Sequence, residues 1–216
     1  MLAEDSSSAS ANPAFVVEKT EWASAGILRI RTAEGPSFLV REEALGRRAL
    51  PVPEPGQRFD TEAAEAVYAA ARAFLAERAG LAYLSRAEYS RYQLSLKLAK
   101  KGFSRAEIGE ALDVLVAEGS LDDARFASAW IRNRLIGRAE GRARLQAGLS
   151  ARGVDRAVAD RALSGYFEDT DERDLCLKAM AKLARMGRTG EKMRISLQRK
   201  GFSKNLISEC AKNGEN

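Results

Sequence analysis

Residues 94–103 read LSLKLAKKGF, and this stretch recurs twice further along the chain. The second copy is LQAGLSARGV at 145–154, and the third is MRISLQRKGF at 193–202. The three glycines are 51 and then 48 residues apart. A motif that returns at a near-constant spacing is typical of a tandem array of one supersecondary unit.

Each copy predicts a helix that ends at a glycine turn. Two aliphatic residues four apart, such as Leu145 and Leu149, lie one above the other on a helix face. The glycine can adopt the left-handed backbone conformation and so end the helix. An apolar residue follows, and then Ser104, Asp155 or Ser203, which are residue types that cap a helix N-terminus. Each copy therefore predicts a tight helix–turn–helix pair.

A further helix is expected in front of each pair. In the first unit the sequence predicts a helix over 61–79, with Asp60 as its N-cap and Gly80 as its terminator. The capping box at 85–88 then predicts the start of the helix that carries Leu94.

The other two units repeat this arrangement. Asp122 is the expected N-cap in the second unit, and Asp171 or Thr170 in the third. Three units of three helices each follow from this pattern.

The N-terminal part has a different pattern. Short apolar or alternating runs within residues 14–50 predict two or three antiparallel strands, which need a helical partner for stability. Pro51, Pro53 and Pro55 predict a stiff linker. We therefore expect a mainly α fold, an elongated tandem array of three three-helix repeats with a small N-terminal strand-rich extension. The predicted bounds are a disordered tail at 1–13, the strand-rich extension and Pro-rich linker at 14–59, and repeats at 60–118, 119–168 and 169–216.

Composition excludes several classes of function. The chain of 216 residues contains no histidine, which excludes histidine-based acid–base catalysis and histidine-ligated metal sites. Cys176 and Cys210 are too few for a four-thiolate zinc site and indicate ordinary reduced thiols. The acidic cluster at 169–174 is interpreted as a solvated linker. The acidic, polar start of the chain is unlike a signal peptide, and no apolar run is long enough to span a bilayer. We expect a cytoplasmic protein without cofactor or catalytic residues that works by binding.

Charge is unevenly distributed along the chain. The 35 Lys and Arg residues against 30 Asp and Glu give a net charge of +5. Residues 1–60 carry −2 and residues 61–216 carry +7. A basic excess favours polyanionic partners, although charges on helical surfaces are often simply solvated.

The basic residues cluster around the recurring helix. The candidates for contact with a partner or DNA are Lys97, Lys100, Lys101, Arg132, Arg134, Arg138, Arg142, Arg144, Arg152, Lys192, Arg194, Arg199 and Lys200. Compensation of the helix dipole is an alternative explanation for those near helix ends, namely Lys100, Lys101, Arg152, Arg199 and Lys200. It does not explain the basic residues near helix starts, which are Arg138, Arg142, Arg144, Lys192 and Arg194.

Three segments together resemble the RecX family of bacterial regulatory proteins. They are QLSLKLAKKGF at 93–103, GSLDDARFA at 119–127 and LQRKGF at 197–202, and the resemblance spans about residues 80–212. Gln93 departs from the pattern, which has Glu there, and residues 14–50 lie outside the shared core. The positions that carry the motif are Leu94, Leu98, Gly102, Phe103, Leu121, Asp122, Asp123, Phe126, Gly141, Leu145, Leu149, Gly153, Leu197, Gly201 and Phe202.

This resemblance implies a modulator of the RecA recombinase. Such a protein binds RecA and its nucleoprotein filament, lies along the filament groove, and suppresses recombinase, ATPase and coprotease activities in DNA repair and the SOS response. It implies a monomer that binds single- and double-stranded DNA only weakly. Two alternatives act without RecA: a sequence-specific helix–turn–helix regulator, which usually binds a discrete operator as a dimer, and an accessory protein that coats DNA.

Overall fold

The computed structural model describes residues 14–212 except Glu34 and Pro36, so the tail predicted at 1–13 lies outside the described residues. The fold is mainly α, and three-helix repeats follow a small strand-rich region along the sequence, as predicted. The elements are β1 (Phe15–Ser24), β2 (Ile27–Thr32), β3 (Phe38–Arg41), α1 (Glu42–Gly46), β4 (Arg58–Phe59), α2 (Thr61–Leu84), α3 (Arg91–Ala99), α4 (Arg105–Ala117), α5 (Asp123–Leu135), α6 (Arg142–Ser150), α7 (Arg156–Glu168), α8 (Glu172–Arg185), α9 (Gly190–Arg199) and α10 (Lys204–Lys212).

The described residues form two compact units. One unit takes in the chain up to Gly80 together with Leu98–Val114. The other takes in Leu81–Lys97 together with the chain from Leu115 onward. The repeat bounds expected from the sequence stay a prediction.

The strands form one antiparallel sheet in the order β3-β2-β1-β4. The fourth strand comes from the proline-rich segment that the sequence predicts to be a linker. There the Val17 amide donates to the Gln57 carbonyl (2.9 Å), and the Gly56 amide donates to the Val17 carbonyl (2.8 Å). The segment is therefore fixed to the sheet, because backbone groups of β1 are available to pair with it.

One face of the sheet packs on α2. Val17, Leu28 and Ile30 from the sheet share a buried cluster with Val67 and Ala70 from the helix. The prediction that the strands need a helical partner is confirmed. The area removed from water supplies the stabilisation that an isolated small sheet lacks.

Two ion pairs reinforce this packing. The Arg41 guanidinium donates two hydrogen bonds of 2.6 Å to Glu77, whose side chain is buried. Arg48 forms a second two-point pair with Glu110. Both arginines lie in the N-terminal region and both glutamates on helices, so each pair ties the region to its helical support.

The prediction that the first long helix ends at Gly80 is wrong. Helix α2 continues through Gly80 to Leu84, and Gly80 is buried without a positive φ. The small residue fits a buried helical position, and its conformational cost is outweighed by the flanking helix formers. Within this helix Leu75 is 55% exposed, whereas Val67 and Phe74 are buried.

Helix α3 begins at Arg91 and not at the predicted capping box near Ser85. Ser85 donates its hydroxyl to the Ala82 carbonyl at the end of α2 (3.2 Å). The capping pair is Ser90 with Gln93: the Gln93 amide donates to Ser90 Oγ (3.1 Å), and the Ser90 amide donates to Gln93 Oε1 (3.4 Å). The glutamine that departs from the family pattern thus completes a capping box of its own.

The recurring glycine turns are confirmed. Gly102, Gly153 and Gly201 have φ of +85°, +73° and +91°, and each ends its helix as predicted. The next helices start at capping residues Ser104, Asp155 and Ser203, each of which accepts a backbone N–H.

Candidate partner interface

Two of the candidate cations are used inside the fold. Lys97 Nζ lies 5.0 Å from the ring centroids of both Tyr83 and Tyr89. Arg134 donates to both carboxylate oxygens of Glu140 (2.8 and 2.9 Å), and this hydrogen bonding raises the pKa of the guanidinium. These side chains have partners within the protein and are poorly placed to bind another molecule.

Three other arginines have weaker internal contacts. Arg152 lies over the Trp130 ring at 4.7 Å and donates to the Gly148 carbonyl, while Arg142 lies over the Phe167 ring at 4.7 Å. Arg194 pairs with Glu191 on the exposed side of α9. Exposed pairs of this kind contribute little stability, so Arg142 and Arg194 can exchange these contacts for a partner at small cost.

Among the described residues, seven of the remaining candidates differ in having no such contacts, whereas Lys101 has an interaction within the fold. Within the described part of the chain, the structure gives no hydrogen bond, ion pair or ring contact to the side chains of Lys100, Arg132, Arg138, Arg144, Lys192, Arg199 and Lys200. All of these except the half-buried Lys200 are exposed. Unpaired exposed cations are available to an acidic partner without breaking an existing interaction.

The start of α3 meets the glycine turn that ends α6. The Ser90 hydroxyl donates to the Arg152 carbonyl at 2.6 Å, just before Gly153. The amide of Arg91, the first residue of α3, donates to Asp123 Oδ1 at 2.7 Å. We call these two contacts the first joint.

The start of α6 meets the turn that ends α9 in the same way. The Gly141 amide donates to the Lys200 carbonyl at 2.8 Å, just before Gly201. The amide of Arg142, the first residue of α6, donates to Glu172 Oε1 at 2.8 Å. We call these contacts the second joint. In each joint, the start of one repeat's middle helix, α3 or α6, packs against the glycine turn of the next repeat.

The joints need the absence of a Cβ atom at their glycines. A Cβ built on Gly201 would overlap the backbone nitrogen of Arg144, and one built on Gly153 would overlap Cβ of Tyr92. A Cβ on Gly102 would meet no atom within 4 Å. The motif glycine therefore ends a helix in all three repeats and also admits a neighbouring helix in two of them.

The second joint brings basic segments together. It places the start of α6, which carries Arg142 and Arg144, against the end of α9, which carries Arg199 and Lys200. The cleft beside it is also lined by Asp160 and Glu172, so its charge is mixed. The candidate interface is therefore the exposed cations around the joint and not the cleft itself.

Comparison with known proteins identifies the family. Residues 76–115 match the model described as RecX, first three-helix domain, and residues 122–163 match RecX, second three-helix domain. A protein named regulatory protein RecX from Treponema pallidum (strain Nichols) is 40% identical over 155 residues, which is 72% of this chain and 94% of that protein. This chain belongs to the RecX family. Its relatives are named as regulatory proteins.

Other RecX proteins agree with this assignment. The regulatory protein RecX of Chromohalobacter salexigens is 42% identical over 99 residues, covering 46% of this chain and 63% of that protein. A crystal structure of regulatory protein RecX shares the fold, with a TM-score of 0.70 and 21% identity over 90% of this chain and 99% of that one. The crystal structure of RecX from Lactobacillus salivarius gives a TM-score of 0.58 at 25% identity, over 66% of this chain and 96% of that one.

The adjacent carboxylates of the RecX motif, Asp122 and Asp123, have different structural roles. Asp122 caps its own helix by accepting the amides of Ala124 (2.7 Å) and Arg125 (3.2 Å), as predicted. Asp123 accepts the amide of Arg91 in the first joint, a role the sequence analysis missed. The available signal was the recurrence of an acidic residue directly after the N-cap.

The acidic cluster at 169–174 also supplies one residue that caps a helix and one that accepts an amide in a joint. Asp171, and not Thr170, caps α8 by accepting the Arg173 amide (2.8 Å), and Glu172 serves the second joint. Among the described residues, no group of three or more Cys, Asp or Glu side chains is arranged to hold a metal ion. None of the helices described here has both the length and the apolar composition needed to cross a membrane.

The two cysteines lie in the core of the third repeat. Cys176 and Cys210 are free and buried. Burial and the hydrogen bond with Cys210 raise the pKa of the Cys176 thiol to about 12. A thiol that stays protonated is a poor nucleophile, so this cysteine has a structural role.

Proposed function

We propose that this RecX-family chain is a non-enzymatic regulator that binds the RecA recombinase and its nucleoprotein filament and inhibits RecA's recombinase, ATPase and coprotease activities. It acts as a monomer in the cytoplasm, in the filament groove, with weak affinity for single- and double-stranded DNA. The observation that carries this proposal is the set of exposed cations on successive repeats that have no partner in the described part of the chain, which belongs to the family by sequence.

Tandem repeats suit a partner that is itself extended. Each repeat presents a similar surface, so contacts add along the partner and raise the overall affinity. Cations without an internal partner can face filament DNA or acidic patches on RecA with little loss of existing interactions.

In the first repeat the charges argue against a helix–turn–helix DNA reader, whereas the corresponding helix α7 carries no net charge and α10 carries +1. In that mode the second helix of each pair enters the major groove. Helix α4 holds that position in the first repeat, yet it carries Arg105 against Glu107, Glu110 and Asp113. An acidic helix is repelled by phosphates, so the cations of the preceding helices are better placed for contact.

The test is single-stranded-DNA-dependent ATP hydrolysis by RecA from the same organism. A preassembled filament is titrated at fixed salt with nucleic-acid-free protein. Inhibition at well below one molecule per RecA supports the proposal. No inhibition from a preparation that still shifts naked DNA contradicts it and favours DNA binding without RecA.

Charge reversals sharpen this test. Arg144→Glu and Arg199→Glu change side chains that have no partner among the described residues, so we expect weaker inhibition and an unchanged melting temperature. Arg58→Glu is the matched control, because it makes the same charge change at an exposed strand residue outside the repeats. Equal effects of all three variants would indicate net charge and not a specific surface.

A further inference from the structure

The two most exposed large apolar side chains of the described residues occupy equivalent places. Ile136 is 74% exposed and Met186 is 64% exposed. Each is the C-cap of its repeat's first helix, α5 or α8, and they are 50 residues apart in the sequence. Exposed apolar groups at matching places in two repeats indicate a shared use, since single scattered ones need no explanation.

Both side chains stand directly before a glycine turn, and the two turns differ, because Ile136 is extended (φ −60°, ψ 113°) and Met186 is near-helical (φ −89°, ψ 10°). Gly137 and Gly187 follow them with φ of +66° and +72°. The Arg138 amide donates to the Leu135 carbonyl (3.2 Å), and the Arg188 amide donates to the Leu183 carbonyl (3.1 Å). Neither helix ending requires an apolar C-cap residue, so local structure does not account for Ile136 and Met186.

The surroundings of both side chains are basic. Residues 132–138 read RNRLIGR and residues 182–188 read KLARMGR, with three cations in each. Arg134 pairs with Glu140 and Arg188 donates to Ser196 Oγ (2.7 Å), so the charge toward a partner comes from Arg132, Arg138, Lys182 and Arg185. A cation stands four residues before the apolar residue and an arginine two residues after it in both segments. We call these two segments the apolar tips.

We propose that the apolar tips are two equivalent contacts for a protein polymer, in which successive subunits each present a shallow apolar pocket rimmed by carboxylates. The inference rests on the proposed function and specifies the chemistry of that partner surface. An aliphatic side chain gains by entering an apolar pocket, and the flanking cations match a carboxylate rim. Two copies of the same tip fit a partner whose own surface repeats.

A nucleic acid fits this surface less well. Each tip is centred on an exposed apolar side chain, Ile136 or Met186, and not on a cation. An isolated aliphatic residue also gains nothing from a phosphate backbone. DNA contact is therefore an outcome that the test has to distinguish.

The test measures binding of the full chain to preassembled RecA filaments and, separately, to single-stranded DNA alone. Ile136→Ser and Met186→Ser should each weaken filament binding by about tenfold, and the double variant by more than either. Leu75→Ser is the matched control, since Leu75 is 55% exposed but lies outside the tips. Melting temperatures should match the parent because these side chains are not buried.

The outcomes separate this inference from the proposed function. Unchanged filament binding in the double variant, with weaker binding for Arg144→Glu, overturns the tips and leaves the proposed function standing. Equal loss of binding to DNA alone shows that the tips contact nucleic acid and overturns the protein pocket. A parent chain that fails to bind the filament overturns both.

Discussion

The glycine turn of the first repeat has the same backbone conformation as those of the later repeats but a different packing environment. Gly102 has φ +85°, close to the +91° of Gly201, yet its Cβ position is open while that of Gly201 is occupied by the backbone of Arg144. The comparison shows one local motif with two uses. It ends a helix everywhere, and it forms a joint only where a preceding repeat exists.

The first repeat also differs at the position of the joint carboxylate. Arg72 lies 51 residues before Asp123, the same interval that separates Gly102 from Gly153. Its guanidinium donates to the Gly102 carbonyl (3.0 Å) and to Glu107 (2.6 Å). Burial raises the pKa of Glu107, but the hydrogen bonds from Arg72 and Ser104 outweigh it and lower the pKa. The first repeat thus uses its own Arg72 beside a turn whose glycine has no described atom within 4 Å of its Cβ position.

The largest expected effect comes from adding a methyl group at a joint glycine. Alanine in place of Gly102, Gly153 or Gly201 would have to adopt a positive φ, which costs about 1–2 kcal/mol. Gly201→Ala should lose about 1–3 kcal/mol more from overlap with the backbone of Arg144. Chemical denaturation followed by circular dichroism measures the difference, with Gly102→Ala as the control of equal backbone strain.

A second variant isolates the close approach from the backbone strain. Gly141 has φ −84°, which any residue can adopt, but a Cβ there would overlap the carbonyl of Gly201. Gly141→Ala should therefore also destabilise the chain. Stability equal to the parent for this variant would contradict the close contact in the second joint.

The next effect distinguishes the two joints. The first uses the Ser90 hydroxyl as its donor, whereas the second uses the Gly141 amide. Ser90→Ala should cost about 2 kcal/mol, because the buried serine caps α3 and also satisfies the Arg152 carbonyl. Hydrogen exchange should accelerate at the start of α3 and stay unchanged at the start of α6. Equal acceleration at both places would argue against separate joints.

A smaller effect is expected at the joint carboxylate. Glu172→Ala should cost about 1–2 kcal/mol, since a charged acceptor of the Arg142 amide is lost. Asp174→Ala changes the same charge in the same first turn of α8, but the Asp174 side chain has no recorded partner among the described residues. It should cost only a few tenths of a kcal/mol. Equal losses in thermal melts would mean that Glu172 acts through the helix dipole alone.

The smallest effect concerns the residue that departs from the family pattern. Gln93→Glu keeps the acceptor for the Ser90 amide and adds a negative charge near the start of α3. Stabilisation by a few tenths of a kcal/mol is expected at neutral pH. The gain should disappear below the pKa of the new carboxyl group, because its protonated form carries no charge. A gain that persists in acid would point to packing instead.

The N-terminal region shows where sequence-based prediction stops. The apolar runs predict its strands, but β4 is a pair of residues whose identity as a strand depends on Phe15 and Val16 opposite it. Similarly, two capping boxes lie five residues apart near Ser85 and Ser90. Glu88 pairs with Arg125 (2.6 Å), and Ser90 reaches Arg152, so contacts distant in the sequence select the second box.

For the candidate interface, too, sequence and tertiary structure supply different information. Sequence alone identifies its cations, because composition and motif position suffice. It does not show that Lys97 lies over two tyrosine rings or that Arg134 pairs with Glu140, whereas Arg144 and Arg199 have no partner among the residues the structure describes.

The sequence by itself determined the recurring helix–turn–helix pairs, the capping residues after each glycine turn and the family, because hydrogen bonds within a few residues govern the turns and their caps. Only the tertiary structure decided which glycines must lack a Cβ for packing, which carboxylates join consecutive repeats, and which charges remain available. Those properties depend on atoms from positions far apart in the sequence, 30 residues for the Arg142–Glu172 contact and 62 for the Ser90–Arg152 contact, and no local pattern encodes them.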